Sequence, residues 1–208
     1  QLRGAYPAPV QQRINAFSAG IEKALKENWD EILVVGHSSG EHIAINALAQ
    51  IERSAAFDQA LATVGFLLLG QVIPMVAFLP DADQLRRDLY DISRNTAIYW
   101  GDIKALGDGC SFSLCDPVAV SALPLAGQTG PLVLSAAFSQ ALSPTRWRRL
   151  RWRFFKLHFQ YLCAFDETHY YDYFAITAGP ITLRKHFCSR KPSKKVQKIA
   201  YNRYREIA

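Results

Sequence analysis

Three short apolar stretches, each preceded by an amphipathic helical pattern, constrain the fold of this chain most strongly. The stretches are residues 31–35, 64–69 and 96–100, and none of them alternates apolar with polar residues. Such runs are typical of strands that are buried on both faces of a parallel sheet. The order helix, strand, helix, strand, helix, strand therefore predicts an α/β fold with a mostly parallel sheet and crossover helices.

Apolar residues at three- and four-residue spacing predict the intervening helices. The predicted helices span residues 14–28, 41–53 and 83–93. The first 13 residues contain Pro7 and Pro9 and are predicted to form a loop.

The second half of the chain has weaker patterns. Residues 117–146 are rich in Ala, Pro, Gly and Ser and predict a loop-and-helix excursion, whereas residues 153–162 predict a fourth and last strand. We expect a helix or an irregular, strongly basic tail after Tyr173. The 208 residues are interpreted as one domain with a core at 14–116, an excursion at 117–152, and the last strand and tail at 153–208.

The composition fits a packed globular protein. With 50% hydrophobic and 20% charged residues, the chain is neither disordered nor collagen-like. Its four cysteines form no C-x-x-C pair, so we expect no disulfide framework and no structural zinc site, but reduced thiols in a cytoplasmic protein. The longest apolar run, residues 57–79, is interrupted by polar residues, Gly and Pro, and predicts a buried strand rather than a membrane span.

A glycine- and serine-containing pentad lies at the end of the first predicted strand. Gly36-His37-Ser38-Ser39-Gly40 follows the strand directly and precedes a helix, which is the context that gives a G-x-S-x-G motif its meaning. A turn this tight places the serine in strained backbone angles, and the glycines avoid clashes with neighbouring elements. The helix N-terminus provides N–H groups and positive dipole for a developing oxyanion.

This pentad resembles the nucleophile elbow of the α/β-hydrolase superfamily, in particular its lipase- and esterase-like members. Phe66-Leu67-Leu68-Leu69-Gly70 is similar to the strand that follows the elbow in that family. The resemblance implies that Ser38 is the nucleophile and that the Ser39 N–H is one oxyanion donor. It implies neither a cofactor nor a metal. It also implies that this chain is N-terminally truncated, since the early strands and the loop with the second oxyanion donor are missing from it.

In the family the acid follows the serine along the chain, and the resemblance directs the search to the loop after the third strand. That strand is predicted to end at Trp100, and Asp102, Asp108 and Asp116 come after it. We favour Asp108, because Gly107 and Gly109 on either side allow a tight turn. Asp102 is the first alternative and Asp116 the second.

The family places the base last, after the final strand. His158 lies near the end of the predicted strand 153–162 and is the favoured base, with His169 as the alternative. His37 is expected to point away from the nucleophile, His42 to lie in the first turn of a helix, and His186 to lie in the basic tail. A core position among aromatic residues is the other interpretation of His158.

The expected activity is hydrolysis of carboxylic esters, including lipid-like acyl esters, through Ser38, Asp108 and His158 and an acyl-enzyme. Thioesterase, acyltransferase and peptidase activities use the same triad and stay open. The alternative is a non-catalytic α/β scaffold whose basic aromatic end binds a membrane or nucleic acid. Fold alone does not separate these functions.

The charge of the chain is concentrated near its carboxyl end. Residues 146–206 hold 15 of the 24 Lys and Arg residues but only four of the 18 acids. Within them, residues 146–156 read Arg-Trp-Arg-Arg-Leu-Arg-Trp-Arg-Phe-Phe-Lys. This stretch suits a solvated helix end, a segment on an anionic membrane, or nucleic-acid binding. We favour these in that order and expect a small or lipid-like ester as the main partner.

Overall fold

A parallel sheet forms the centre of the molecule. The computed structural model describes residues 3–60, 62–112 and 114–207. In these ranges the sheet has four strands in the order β1-β2-β3-β4, and every neighbouring pair is parallel. The strands are Glu31–His37 (β1), Thr63–Leu69 (β2), Ile98–Lys104 (β3) and Leu132–Ser135 (β4). The prediction of a mostly parallel α/β fold is confirmed at this level.

Helices flank the sheet and connect its strands. In chain order they are Ala8–Leu25 (α1), Gly40–Glu52 (α2), Ala55–Asp58 (α3), Pro74–Ala77 (α4), Asp83–Arg94 (α5), Pro117–Val120 (α6), Phe138–Ala141 (α7), Pro144–Leu150 (α8), Phe154–His158 (α9), Tyr173–Thr177 (α10) and Leu183–His186 (α11). A 3₁₀ turn, Phe159–Leu162, follows α9 directly.

The two faces of the sheet carry two separate apolar cores. Strand β2 contributes to both, because its successive side chains point to opposite faces. Phe66 and Leu68 pack in the core that includes residues of α2 and α5, whereas Leu67 and Leu69 pack in the core that includes Leu157 of α9. Burial on both faces explains why this strand is an unbroken apolar run.

The first helix begins earlier than the sequence predicts. Helix α1 begins at Ala8 with Pro9 in its first turn, so the expectation of a loop over the first 13 residues is wrong. A proline is tolerated there because the first N–H groups of a helix have no intrahelical acceptor. Phe17 lies on the outward side of α1 and is 58% exposed.

Three further expectations are also wrong. Strand β3 continues to Lys104 rather than ending at Trp100, so Asp102 lies inside the strand. The fourth strand is β4, within the predicted excursion. Residues 153–162 form helix α9 and the 3₁₀ turn instead of a last strand. Within that segment the buried residues lie at helical spacing: Leu157, His158, Gln160 and Tyr161.

Among the described strands, β1 and β4 are the two edge strands, and β1 pairs with β2 only. It is less buried than its apolar sequence predicts, and Val35 is 37% exposed. An apolar groove of about 510 Å³ lies along β1 between α1 and α2 and extends to His37 and Gly40.

Within the described ranges, no helix combines the length and the apolar character that a membrane crossing requires. The four cysteines, Cys110, Cys115, Cys163 and Cys188, are free thiols, and Cys115 is buried.

Candidate active site

Ser38 lies between β1 and α2 in a conformation that few non-glycine residues adopt. Its φ angle is 55°, in the left-handed region. Gly36 is required by crowding, because a Cβ there would lie 3.1 Å from the Cα of Glu41 and 3.0 Å from Leu68 Cδ2. A Cβ at Gly40 would have no atom within 4 Å, so crowding explains only the first glycine of the pentad. The predicted strand–turn–helix geometry at Ser38 is confirmed.

Two hydrogen bonds attach this turn to the end of β2. The Ser38 N–H donates to the Leu69 carbonyl at 3.1 Å, and the Leu69 N–H donates to Glu41 Oε1, also at 3.1 Å. Glu41 is fully buried, and its Oε2 has no hydrogen-bond partner among the described residues. Burial, followed by the nearby Asp102 carboxylate, raises the pKa of Glu41 well above its ordinary value.

Ser39, the expected oxyanion donor, is exposed and forms the N-cap of α2. Within the described part of the chain its N–H is not engaged in a backbone hydrogen bond. The 13-residue helix α2 adds its positive dipole end at the same position. The Ser39 N–H is therefore available as a donor next to the serine.

Asp108 and His158 form a hydrogen-bonded pair. Asp108 Oδ2 and His158 Nδ1 are 2.8 Å apart, and both side chains are almost fully buried. Asp108 Oδ1 accepts a second hydrogen bond from the Cys110 N–H at 3.0 Å. Burial alone would raise the pKa of Asp108, but the hydrogen bonds from His158 and Cys110 outweigh it and lower the pKa. The carboxylate is thus the favoured form beside the imidazole.

Different elements supply the two members of this pair. Asp108 lies in the loop four residues after the end of β3, and His158 is the last residue of α9, not a residue that follows the last strand. The loop is held against α8 and α9, since a Cβ at Gly107 would lie 2.7 Å from Trp147 and one at Gly109 would lie 3.1 Å from Phe154.

Gly70 connects the pair to the serine turn. It follows Leu69, which binds the Ser38 N–H, and a Cβ on it would lie 3.1 Å from His158 Cε1 and 3.2 Å from Asp108 Oδ2. On the other side, the His37 ring lies 4.6 Å from the His158 ring, and His37 Nε2 lies 3.1 Å from the His158 carbonyl. Burial and the neighbouring His158 lower the pKa of His37, despite its contact with that carbonyl.

The Nε2 atom of His158 is buried and has no hydrogen-bond partner among the described residues, so Ser38 Oγ is not bonded to it here. With Nδ1 donating to Asp108, the neutral imidazole leaves a lone pair on Nε2. Hydrogen bonds of this kind are often long in ligand-free hydrolases. The arrangement can accept a proton from a hydroxyl group that approaches Nε2.

The alternative acids lie elsewhere. Asp102 is fully buried in β3, where its Oδ2 lies 3.0 Å from Lys104 Nζ. Burial raises the pKa of Asp102 to about 6, against the lowering effect of Lys104. Asp116 caps α6 by accepting from the N–H groups of Val118 and Ala119. The structure therefore brings Asp108, and neither alternative, to the imidazole.

The other histidines have separate surroundings. His169 is exposed, with its Nδ1 3.8 Å from Glu167 and its ring 3.9 Å from that of Tyr170. His42 is buried in α2, and burial lowers its pKa. His186 belongs to α11 and is half-buried.

Sequence analysis missed two residues of the site, Glu41 and Tyr161, and identified Gly70 only as the end of an apolar strand. Tyr161 is fully buried with its ring edge-on to His158, and its hydroxyl has no hydrogen-bond partner among the described residues. An acid in the first turn after the pentad was the available signal for Glu41. Tyr161 gave none, because its segment was interpreted as a strand.

We expect Gly70→Ala to lower the free energy of unfolding by about 2–3 kcal/mol. The new methyl group would lie 2.6 Å from Tyr161 Cε2, and Gly70 has a φ of 63°, which is strained for alanine. Urea unfolding measures the effect. Gly20→Ala in α1 is the matched control: its Cβ meets no atom within 4 Å, so it should raise stability by about 0.5–1 kcal/mol. Equal stability of the two variants would contradict the packing described at Gly70.

In the ranges that the structure describes, no group of three or more His, Cys, Asp or Glu side chains is arranged to hold a metal ion. Comparison with protein-family models, curated proteins and solved structures finds no significant match. The fold and the site together define an α/β protein in which a serine turn and an aspartate–histidine pair lie at the carboxyl edge of a parallel sheet. Its function has to be inferred from this geometry.

Proposed function

We propose that this protein is a serine hydrolase that cleaves carboxylic esters through Ser38, His158 and Asp108, in an α/β-hydrolase-like arrangement. The observation that carries the proposal is the combination of Ser38 at a positive φ with the buried Asp108–His158 hydrogen bond at the same edge of the sheet. A strained serine between strand and helix is costly, and such strain is concentrated at functional sites.

In the proposed reaction, His158 Nε2 takes the proton from Ser38 Oγ as the oxygen attacks the ester carbonyl carbon. The tetrahedral oxyanion forms beside the Ser39 N–H and the N-terminus of α2. Its collapse breaks the bond to the alkoxy oxygen, which receives the proton from His158, and leaves an acyl-Ser38. Water then attacks the acyl group by the same route and restores the serine. Asp108 keeps the proton on Nδ1 and stabilises the imidazolium.

The competing proposal is a non-catalytic scaffold. Two observations favour an enzyme over it. A scaffold has no need for an unpaired, buried Nε2 at the same edge of the sheet as a strained serine, because an unsatisfied buried polar atom destabilises the fold. The lowered pKa of Asp108 also maintains the charge that an imidazolium requires.

Labelling with a fluorophosphonate tests the proposal directly. The reagent should phosphonylate Ser38 in the folded 208-residue chain, with loss of fluoride, because only a serine with an adjacent base is nucleophilic enough. Mass spectrometry of the tryptic peptide identifies the labelled residue. Ser38→Ala should abolish labelling, and Ser139→Ala, at an exposed serine of α7, should not change it. Absence of labelling in the folded chain, or labelling that persists in Ser38→Ala, would refute the proposal.

A further inference from the structure

Large aromatic side chains protrude from the segment that carries His158. Trp152 is 72% exposed, Phe155 77%, Phe154 55% and Phe159 52%. Single exposed aromatic residues are common, but four within eight positions of the chain form a patch that calls for a partner.

Basic side chains surround these aromatic residues. Residues 146–156 contain six Arg and Lys residues and no acid. Arg146 pairs with Asp166 at 3.5 Å. The other five form no ion pair within the described residues, and all five are exposed: Arg148, Arg149, Arg151, Arg153 and Lys156. We call the exposed side chains of residues 148–159 the basic aromatic surface. Its partner should be both negatively charged and able to accept aromatic rings.

This surface and the catalytic pair share one element. On α9, Leu157 and His158 point into the molecule while Phe154 and Phe155 point outward. Phe159 lies between the basic aromatic surface and the site. Its ring is exposed to solvent and lies 5.0 Å from the ring of His37. A partner that binds the surface is therefore brought next to the site.

We propose that the basic aromatic surface docks this protein on an anionic lipid bilayer. Trp and Phe side chains that protrude beside cationic ones suit the headgroup level of a membrane, where the rings leave water and the charges meet lipid phosphates. Nucleic acid is the less suitable partner, since stacking platforms lie in a groove that follows the phosphate backbone, whereas these rings extend from one short helix and its flanking turns. The further step, that the ester is a lipid ester, rests on the proposed function; docking itself does not.

Vesicle flotation with the 208-residue chain tests the docking. We expect the chain to float with phosphatidylcholine vesicles that contain about 30% phosphatidylglycerol, and to bind pure phosphatidylcholine vesicles far more weakly. Ser38→Ala should bind as well as the wild type, because the surface lies outside the triad. Vesicle binding by a chain that fluorophosphonate does not label would retain the docking and reject the hydrolase.

Two sets of substitutions separate charge from insertion. Arg149→Gln, Arg151→Gln and Arg153→Gln together should lower the partition coefficient on the order of 100-fold, roughly fivefold for each charge near an anionic surface. Trp152→Ser with Phe155→Ser should lower it roughly tenfold or more, since both rings leave water on binding. Trp152 and Phe155 are already exposed in the free protein, so the variant that lacks them should keep the wild-type circular dichroism spectrum.

The matched control removes three charges from the exposed basic tail: Lys191→Gln, Lys194→Gln and Lys198→Gln. It should bind anionic vesicles nearly as well as the wild type. An equal loss in the control would show general electrostatic attraction and overturn the proposal. Failure to bind anionic vesicles would also overturn it. So would arginine-dependent binding to a single-stranded oligonucleotide without binding to vesicles, which would assign the surface to nucleic acid.

Discussion

Replacing His158 by glutamine is expected to lower kcat for p-nitrophenyl acetate by at least about 10⁴-fold, the scale on which serine hydrolases lose activity when the base is removed. The glutamine amide N–H can still donate a hydrogen bond to Asp108, but glutamine has no basic nitrogen for the Ser38 proton. Steady-state kinetics on the purified variant measure the loss, and circular dichroism shows whether the fold is retained.

The control for this prediction is His169→Gln. His169 is exposed and contacts Glu167 and Tyr170, so its loss should leave kcat within about twofold of the wild type. Wild-type kcat in His158→Gln, or a loss confined to His169→Gln, would reject the assignment of the base.

The second large effect concerns the buried ion pair inside β3. Lys104→Met should lower the free energy of unfolding by about 3–5 kcal/mol at about pH 7.5, because it leaves the Asp102 carboxylate buried without its partner. Both side chains are fully buried, and the Lys104 ammonium group also donates to the Cys115 carbonyl. Urea unfolding measures the difference. Lys194→Met, at an exposed position without an ion pair among the described residues, should change it by no more than about 0.5 kcal/mol.

The loss in Lys104→Met should shrink as the pH falls. In the wild type the pKa of Asp102 is raised to about 6 by burial, above its ordinary value of 3.8. A raised carboxyl pKa favours folding below the unfolded pKa, and this contribution is lost as the pH rises through the folded pKa. Without Lys104 the folded pKa rises further, so the carboxyl is neutral at about pH 5 and charged at about pH 7.5 only at a cost. A deficit that is equal at both pH values would contradict the pairing.

The first three strands and the serine turn could be predicted from the sequence because each depends on local chemistry. Strand β2 is apolar on both faces, and it is buried on both faces. The turn at Ser38 is predicted by glycines at fixed spacing between a strand and a helix. Asp102 shows the limit of this reasoning: the apolar run that predicts the strand ends at Trp100, whereas the pairing of Asp102 with Lys104 lets the strand continue through a buried region.

The fourth strand and α9 could not be predicted, for opposite reasons. Strand β4 has only four residues, which is too short to establish a period. The sequence of α9 does not show a helical spacing of apolar residues. Its outward side carries Phe154 and Phe155, so both sides of the helix are apolar. The assignment of His158 relied on a strand that does not exist, and the residue nevertheless pairs with Asp108. Tertiary contacts, rather than strand order, bring the two together.

The backbone of Leu69 alone holds both sides of the serine turn. Its carbonyl receives the Ser38 N–H, and its N–H reaches Glu41 in the first turn of α2. Its side chain packs in the apolar core on one face of the sheet, among residues such as Leu67 and Leu157. Isoleucine or valine at 69 could make the same two backbone hydrogen bonds. A mutational scan, which varies side chains only, would therefore report a packing residue at position 69 and would overlook its backbone contacts to the serine turn.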